Sequence, residues 1–200
     1  MSRIRQQEKA KLSREKLMAA ADELFARQKI SEVGVRDIAA RAGVTTGTFY
    51  HYFKGKEALL NSLSYLFDEK YEELAAVIDP HLSAYDKLLF LNHELFYMIE
   101  TSIDIKLLAY LYSSQLITKD KKSLSDQKRF YFKWITEILA EGLKNGEFKN
   151  TSTAEELMDI YAMYERAVLY DWALFKGKYS LSEYSDRLLP HVLDTFVDGI

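Results

Sequence analysis

No cysteine occurs in the 200 residues, which excludes disulfides, thiolate nucleophiles and cysteine-held metal centres. Proline stands only at Pro80 and Pro190, and glycine numbers eight, so the chain has few obligatory breaks and no linker of the Gly/Pro type. No window approaches the roughly 18 uninterrupted apolar residues of a membrane helix. The N-terminal Met-Ser-Arg-Ile-Arg-Gln-Gln-Glu-Lys lacks the apolar stretch of a signal peptide, so a cytoplasmic protein with no membrane partner is expected. A glycine-rich phosphate loop and a Gly-x-Ser-x-Gly elbow are both missing. His51, His81, His93 and His191 show no metal-ligand spacing. His93-Glu94 begins like a zinc-protease motif, but Tyr97 occupies the place of the second histidine. Neither a cofactor nor a metal is expected, and nothing here reads as an enzyme.

What the chain does contain is 48% apolar residues, enough for one large or two small cores, and an uneven charge. Residues 1–56 hold 12 Lys or Arg against 6 Asp or Glu, so a net charge of −3 divides into a basic end of +6 and a remainder of −9. A basic head on an acidic body suits a nucleic-acid reader with a second, separate function. No strand-like alternation, internal repeat or low-complexity segment is found, and the expected fold is all-α, of about nine helices.

The stretch from Val35 to Phe53 organises the rest. Val35, Ile38, Ala39 and Ala42 recur at helical spacing and give one apolar face, opposite Arg36, Asp37 and Arg41. Gly43 supplies the left-handed residue that closes a helix, and Thr45 is placed to cap the next. Phe49, Tyr52 and Phe53 can pack back on the first helix, leaving Thr46, Gly47, Tyr50 and His51 outward. Hydroxyl, phenol and imidazole groups beside bare glycine backbone suit close approach to a polar groove.

From Ser13 to Leu60 the chain resembles the DNA-binding domain of the TetR (tetracycline-repressor-like) family of bacterial transcriptional regulators. Ala20-Ala21-Asp22-Glu23-Leu24-Phe25, Val35-Arg36-Asp37-Ile38-Ala39 and the run from Ala42 to Leu59 carry the resemblance. It departs from the family's pattern at Lys29, where glycine is usual, and at Gly34, where a Thr or Ser usually caps the second helix. Glycine tolerates the cap geometry but brings no hydroxyl to a phosphate. The resemblance implies that Arg36, Thr45, Thr46, Gly47, Tyr50 and His51 meet duplex DNA. It also implies that Lys56, in the first turn of the next helix, grips the backbone where the helix end already favours an anion.

Along the chain, residues 1–12 read as a mobile basic arm and a first helix runs from about Ser13 to Gln28. A fourth helix follows from Lys54 to about Ile78 and ends at Asp79-Pro80. Further helices are expected over 83–100, 103–116, 124–145, 153–176 and 181–200, the last kinked at Pro190. Two overlapping capping boxes, Ser152 with Glu155 and Thr153 with Glu156, mark the start of the eighth. The domains are placed at 1–56, the basic head, and 57–200, a body for ligand binding and dimerisation.

The body is dense in rings, most of which belong to a core. Tyrosine hydroxyls need partners when buried, and His93, Glu94, Glu100, Glu165 and Arg166 are interleaved with them. A cavity with an apolar lining and a few polar anchors is the usual form of a small-molecule site, and the resemblance implies one here. His93, Phe96, Tyr97, Tyr110, Trp134 and Tyr161 are the expected wall, for an apolar or aromatic effector. The eighth and ninth helices carry more apolar surface than one small core uses. Val168, Trp172, Leu188, Val192 and Phe196 are the expected dimer contacts, in agreement with the family's dimer.

The expected protein is therefore a homodimeric, effector-responsive repressor of a palindromic operator, its effector unidentified. A helical adaptor that binds a protein partner through its last two helices is the alternative.

Overall fold

The computed structural model describes residues 2–28, 32–55, 59, 63–117, 122–149 and 151–198, with side chains described for these apart from 2–11, 22, 25–26 and 63–65. Nine α-helices and one short 3₁₀ turn account for the described secondary structure, with no strand among the described residues.

α1 spans Ser2–Arg27, longer than the apolar spacing of its second half requires. The expected mobile arm is helical instead. Ser2 to Lys11 contains no glycine or proline and is rich in Arg, Gln, Glu and Lys, so helix propagates backwards from the packed turns without a barrier. Leu17, Ala20 and Ala21 are its buried face. α2 (Val35–Arg41) packs on α1, and α3 (Thr46–Tyr52) on α2. α4 covers Leu63–Ala75, α5 Ala84–Ser102, α6 Ile105–Ile117, α7 Phe130–Asn145, α8 Ala154–Leu174 and α9 Leu181–Asp198.

Two compact units result. The first comprises residues 1–63 and 106–117, the second 64–105 and 118–200. This differs from the expected division at 56/57 by grouping 57–63 and α6 with the head. The chain passes between the units inside α4, again at 105/106 inside α6, and once more after Ile117.

Within the second unit α5 packs on α7 and α9, and α8 packs on α7 and α9. Gly142 makes the approach around α7 possible. A Cβ there would stand 2.4 Å from the Phe148 ring and 2.9 Å from Ala84 Cβ, so only glycine fits. α7 begins six residues later than its periodicity suggests. The Asp126 carboxylate accepts the Lys128 N–H at 3.0 Å, a local turn that competes with helix, and a 3₁₀ turn at Ser123–Ser125 precedes it. α9 runs through Pro190 as one helix.

Local caps form where expected. Thr153 and Glu156 exchange backbone hydrogen bonds at 3.2 and 2.8 Å, so of the two overlapping boxes this one sets the start of α8. Other helices are capped from a distance. Glu147 accepts the Ala84 N–H of α5 at 2.6 Å, Asp68 the Tyr131 N–H of α7 at 3.1 Å, and Glu100 the Leu181 N–H of α9 at 2.5 Å. A carboxylate at a helix N-terminus satisfies a free N–H and meets the positive end of the helix dipole.

Candidate nucleic-acid interface and effector-responsive core

In the first unit the turn between α2 and α3 is a Schellman closure. The Val44 N–H donates to the Ala39 carbonyl at 2.9 Å and the Gly43 N–H to the Ala40 carbonyl at 3.1 Å, with Gly43 at φ 67°. Thr45 then redirects the chain, its Oγ1 accepting the Thr48 N–H at 3.0 Å. At Gly34 no side chain caps α2, and what remains is the reverse contact, in which the Asp37 carboxylate accepts the Gly34 N–H at 2.7 Å. Phe49 and Phe53 are buried and hold α3 against its neighbours.

With those two rings inward, the opposite face of α3 is open. Thr46, Gly47, Tyr50 and His51 are all exposed, Tyr50 at 58%, and Arg36 is exposed near the start of α2. Thr45 is exposed as well, although its hydroxyl also serves the cap. A Cβ added at Gly47 would meet only Thr45 Oγ1, at an ordinary 3.6 Å, so nothing inside the protein requires glycine there. Arg41 pairs with Glu23 and ties α2 to α1. Lys56 and Lys29 lie outside the described residues.

In the second unit the feature that sequence periodicity missed is a buried polar node on Glu165. This carboxylate is almost wholly buried, at 4% exposure. It accepts the Tyr131 hydroxyl at 2.6 Å, the Asn92 amide at 2.9 Å and the Tyr71 hydroxyl at 3.3 Å. Asn92 in turn accepts the Ser185 hydroxyl at 2.5 Å. Side chains from α4, α5 and α7 thus meet at one carboxylate of α8, and α9 reaches it through Asn92. Burial pushes the Glu165 pKa up from the ordinary 4.5, and the hydrogen bonds from Tyr131, Asn92 and Tyr71 oppose that shift. Burial, with the carboxylate's charge behind it, likewise raises the phenols of Tyr71, Tyr131 and Tyr161 well above their usual value. The legible signal was Glu165 itself, standing within the apolar stripe Leu157, Tyr161, Val168 and Trp172 of α8.

One helical turn before Tyr71, Asp68 makes a second buried contact. The Arg129 guanidinium donates to it from Nε at 2.9 Å and from Nη2 at 3.1 Å, and Arg129 Nη1 donates to the Ser123 carbonyl at 3.4 Å.

The six residues expected to line a pocket differ in their surroundings. Phe96 and Tyr161 are core, Tyr161 donating to the Leu88 carbonyl at 3.2 Å. His93 and Tyr97 stack on the outer side of α5, with the His93 ring against the Asp186 carboxylate at 2.9 Å. Tyr110, on α6, groups with the first unit. Trp134 lines a cleft of about 230 Å³ with Ala75, Ile78, Pro80 and Ile138 on its apolar side and Lys87, Glu137 and Glu141 on its charged side. Its ring meets that of Tyr71 edge-on, centroids 6.2 Å apart.

The expected dimer contacts divide similarly. Val168, Trp172 and Phe196 are buried within their own protomer, and Trp172 donates its indole N–H to the Tyr179 carbonyl at 2.9 Å. Leu188 and Val192 are half-buried. The apolar residues α8 turns outward are Met163, Tyr170 and Leu174, on one helical stripe.

A short, rigidly turned helix pair with an open polar face, joined through α4 to a helical body, defines a helix-turn-helix DNA-binding regulator. Residues 17–63 match the family model described as bacterial regulatory proteins, tetR family. The fatty acid metabolism regulator protein of Bacillus subtilis (strain 168) is 28% identical over 191 residues, 92% of this chain and 93% of that protein. The HTH-type transcriptional repressor KstR2 of Mycolicibacterium smegmatis is 30% identical over 147 residues, 68% of this chain and 67% of that one. Among solved structures, the transcriptional regulator FadR from Bacillus subtilis in complex with stearoyl-CoA superposes with a TM-score of 0.67 at 25% identity, covering 92% of this chain and 98% of that one. The chain belongs to the TetR family. It is a ligand-responsive, dimeric DNA-binding repressor, and the adaptor alternative is set aside. No helix among the described residues is long and apolar enough to cross a membrane.

Proposed function

We propose that the effector is a fatty acyl-CoA thioester and that its binding in the body releases the head from an operator in the cytoplasm; regulation, not catalysis, is the task of both units. The observation that carries this reading is the extent of the likeness. It runs through 92% of this chain to the fatty acid metabolism regulator and through 92% to the stearoyl-CoA complex, so it includes the body as well as the shared head. The ring-rich interior and the apolar side of the cleft at Ala75, Ile78 and Trp134 suit an alkyl chain. At about 230 Å³ the cleft is below the usual range of roughly 300–1,000 Å³ for ligand pockets, so a long chain enters by moving its walls. Of the expected residues Trp134 lines the cleft, Phe96 and Tyr161 are buried in the core, His93 is half-buried and Tyr97 is exposed.

On the DNA side, α3 enters the major groove of each half-site. Thr46, Tyr50 and His51 face base edges or phosphates, Gly47 allows the backbone close, and Arg36, Thr45 and Lys56 hold phosphates. A dimer through α8 and α9 presents two such heads to two half-sites about one helical turn apart.

The test begins with selection of a preferred duplex from random-sequence DNA. Binding to it is then followed by fluorescence anisotropy as stearoyl-CoA, coenzyme A or stearate is added. Release by stearoyl-CoA at concentrations where coenzyme A does nothing is expected. Retention of the duplex at saturating stearoyl-CoA overturns the effector assignment.

A further inference from the structure

The charged side of the cleft is formed by Lys87 of α5 and by Glu137 and Glu141 of α7. Lys87 is 7% exposed, and its Nζ donates to Glu141 Oε2 at 3.0 Å. Glu141 is the outer partner of this pair, its side chain 47% exposed. It is the one hydrogen-bond partner of the Lys87 ammonium among the described residues. An ammonium has three N–H donors, so a buried lysine held by a single half-solvated carboxylate keeps donors to spare, and these border the cleft.

The lining is polarised along α7. Trp134, Glu137 and Glu141 follow one another at helical spacing, which sets the ring and the outer carboxylate about 10 Å apart along the axis. An amphiphile fits this gradient in one direction only, hydrocarbon toward Trp134 and polar group toward Lys87.

Charge then decides which polar group the Lys87 end accepts. With one lysine to two glutamates, that end is net negative. A neutral carbonyl oxygen takes a spare Lys87 N–H and leaves the Lys87–Glu141 pair intact. A carboxylate must instead enter beside Glu137 and Glu141 and compete with Glu141 for the same ammonium, in a cleft whose apolar side limits screening by water.

We infer that Lys87 reads the thioester carbonyl of the effector while Glu137 and Glu141 turn away the free acid, so that the cleft distinguishes an activated acyl chain from the fatty acid its hydrolysis yields. This rests on the acyl-CoA reading and names the residues that make the site selective. The uncharged pantetheine arm carries the phosphates of coenzyme A away from both carboxylates. Selectivity thus comes from repelling the competitor as much as from holding the effector.

Glu137 and Glu141 are exposed, so changing both to Gln removes two charges without burying a new group. Trp134 lines the cleft, and tryptophan emission of the DNA-free protein reports its occupancy. Stearoyl-CoA, stearoyl-pantetheine and stearate are each titrated below their micellar concentrations. The original protein is expected to prefer either thioester to stearate by about tenfold or more, and the Glu137→Gln, Glu141→Gln double variant to lose most of that preference. Lys87→Met is expected to weaken both thioesters by about tenfold and leave stearate no tighter. Glu141 is then free to be solvated, so this variant should keep a cooperative melting transition.

An unchanged preference in the double variant overturns the role of the two glutamates. A loss in Lys87→Met confined to stearoyl-CoA, with stearoyl-pantetheine unaffected, puts Lys87 on a phosphate and overturns the carbonyl assignment. If the original protein binds the thioesters no more tightly than stearate, the selectivity alone falls. If it binds neither thioester, the acyl-CoA reading falls and the selectivity with it.

Discussion

Glu100, near the C-terminal end of α5, caps α9 81 residues further along the chain: its Oε2 accepts the Leu181 N–H at 2.5 Å while its Oε1 accepts the Ser182 hydroxyl at 2.8 Å. One side chain thereby fixes the start of the terminal helix against α5. Glu100→Ala leaves the Leu181 N–H of α9 without its acceptor, Ser180 Oγ still serving the Glu183 N–H, and is expected to destabilise the protein by about 1–2 kcal/mol. Urea unfolding followed by circular dichroism measures this, and an unchanged midpoint would show that water replaces the cap at no cost.

The buried Glu165 carboxylate makes stability depend on pH in a definite direction. Its folded pKa is raised above the ordinary 4.5, chiefly by burial. Between 4.5 and the raised value the folded state therefore holds more protons than the unfolded one, and stability falls as pH rises through that window. Below 4.5 both states are protonated at this site, and the stability it allows is fully present and independent of pH. Glu165→Gln removes the ionisation, so the stability difference between variant and original protein should move in the variant's favour as pH rises from 4.5. Parallel melting curves against pH for the two proteins would contradict a raised carboxylate.

Gly47 separates folding from DNA reading. Because a Cβ there meets nothing closer than 3.6 Å, Gly47→Ala should leave the head folded and stabilise α3 by up to about 1 kcal/mol through helix propensity. The methyl group nonetheless stands on the open face, so affinity for the selected duplex should drop. Tyr50→Ala, on the same face, should weaken binding by about 1–3 kcal/mol. Lys56→Ala should lower the salt dependence by roughly one counterion. Anisotropy at several salt concentrations checks all three, and unchanged binding in a folded Gly47→Ala variant would move the interface off α3.

At the dimer face, the variant that tests association is Tyr170→Glu rather than Trp172→Glu. Tyr170 is 53% exposed on the protomer, whereas Trp172 is buried and bonded to Tyr179. Tyr170→Glu should yield a folded protein that sediments as a monomer. A dimer that persists would place the interface away from the outer stripe of α8.

Gly142→Ala should destabilise by about 1–3 kcal/mol despite better helix propensity, since its Cβ would fall 2.9 Å from Ala84 Cβ and into the buried Phe148 ring. Thermal unfolding reports it; a rise in melting temperature would mean that the two neighbours can part.

The head was legible along the chain because everything that shapes it is local. The spacing of Val35, Ile38 and Ala39, the closure at Gly43 and the cap at Thr45 act within a few residues of one another, and the open face of α3 follows by elimination. Even at Gly34, which brings no hydroxyl, the contact that orders the helix start is local, from Asp37 to the Gly34 N–H. The same holds for the Thr153–Glu156 box and for the all-helical class. The body was legible only as a set of helices.

Short-range chemistry determined where helices begin and end and which face of each is apolar. It could not pair a polar residue on one helix with its partner on another, since Tyr71 and Glu165, or Glu100 and Leu181, are brought together only by packing, and many pairings satisfy the same apolar stripes. Tertiary structure alone decided that Glu165 gathers donors from three other helices, that Trp172 and Phe196 turn inward while Tyr170 turns outward, and that Trp134 stands beside Tyr71. A hydrogen bond requires two groups within about 3 Å, and that proximity is set by how helices dock rather than by the order of residues.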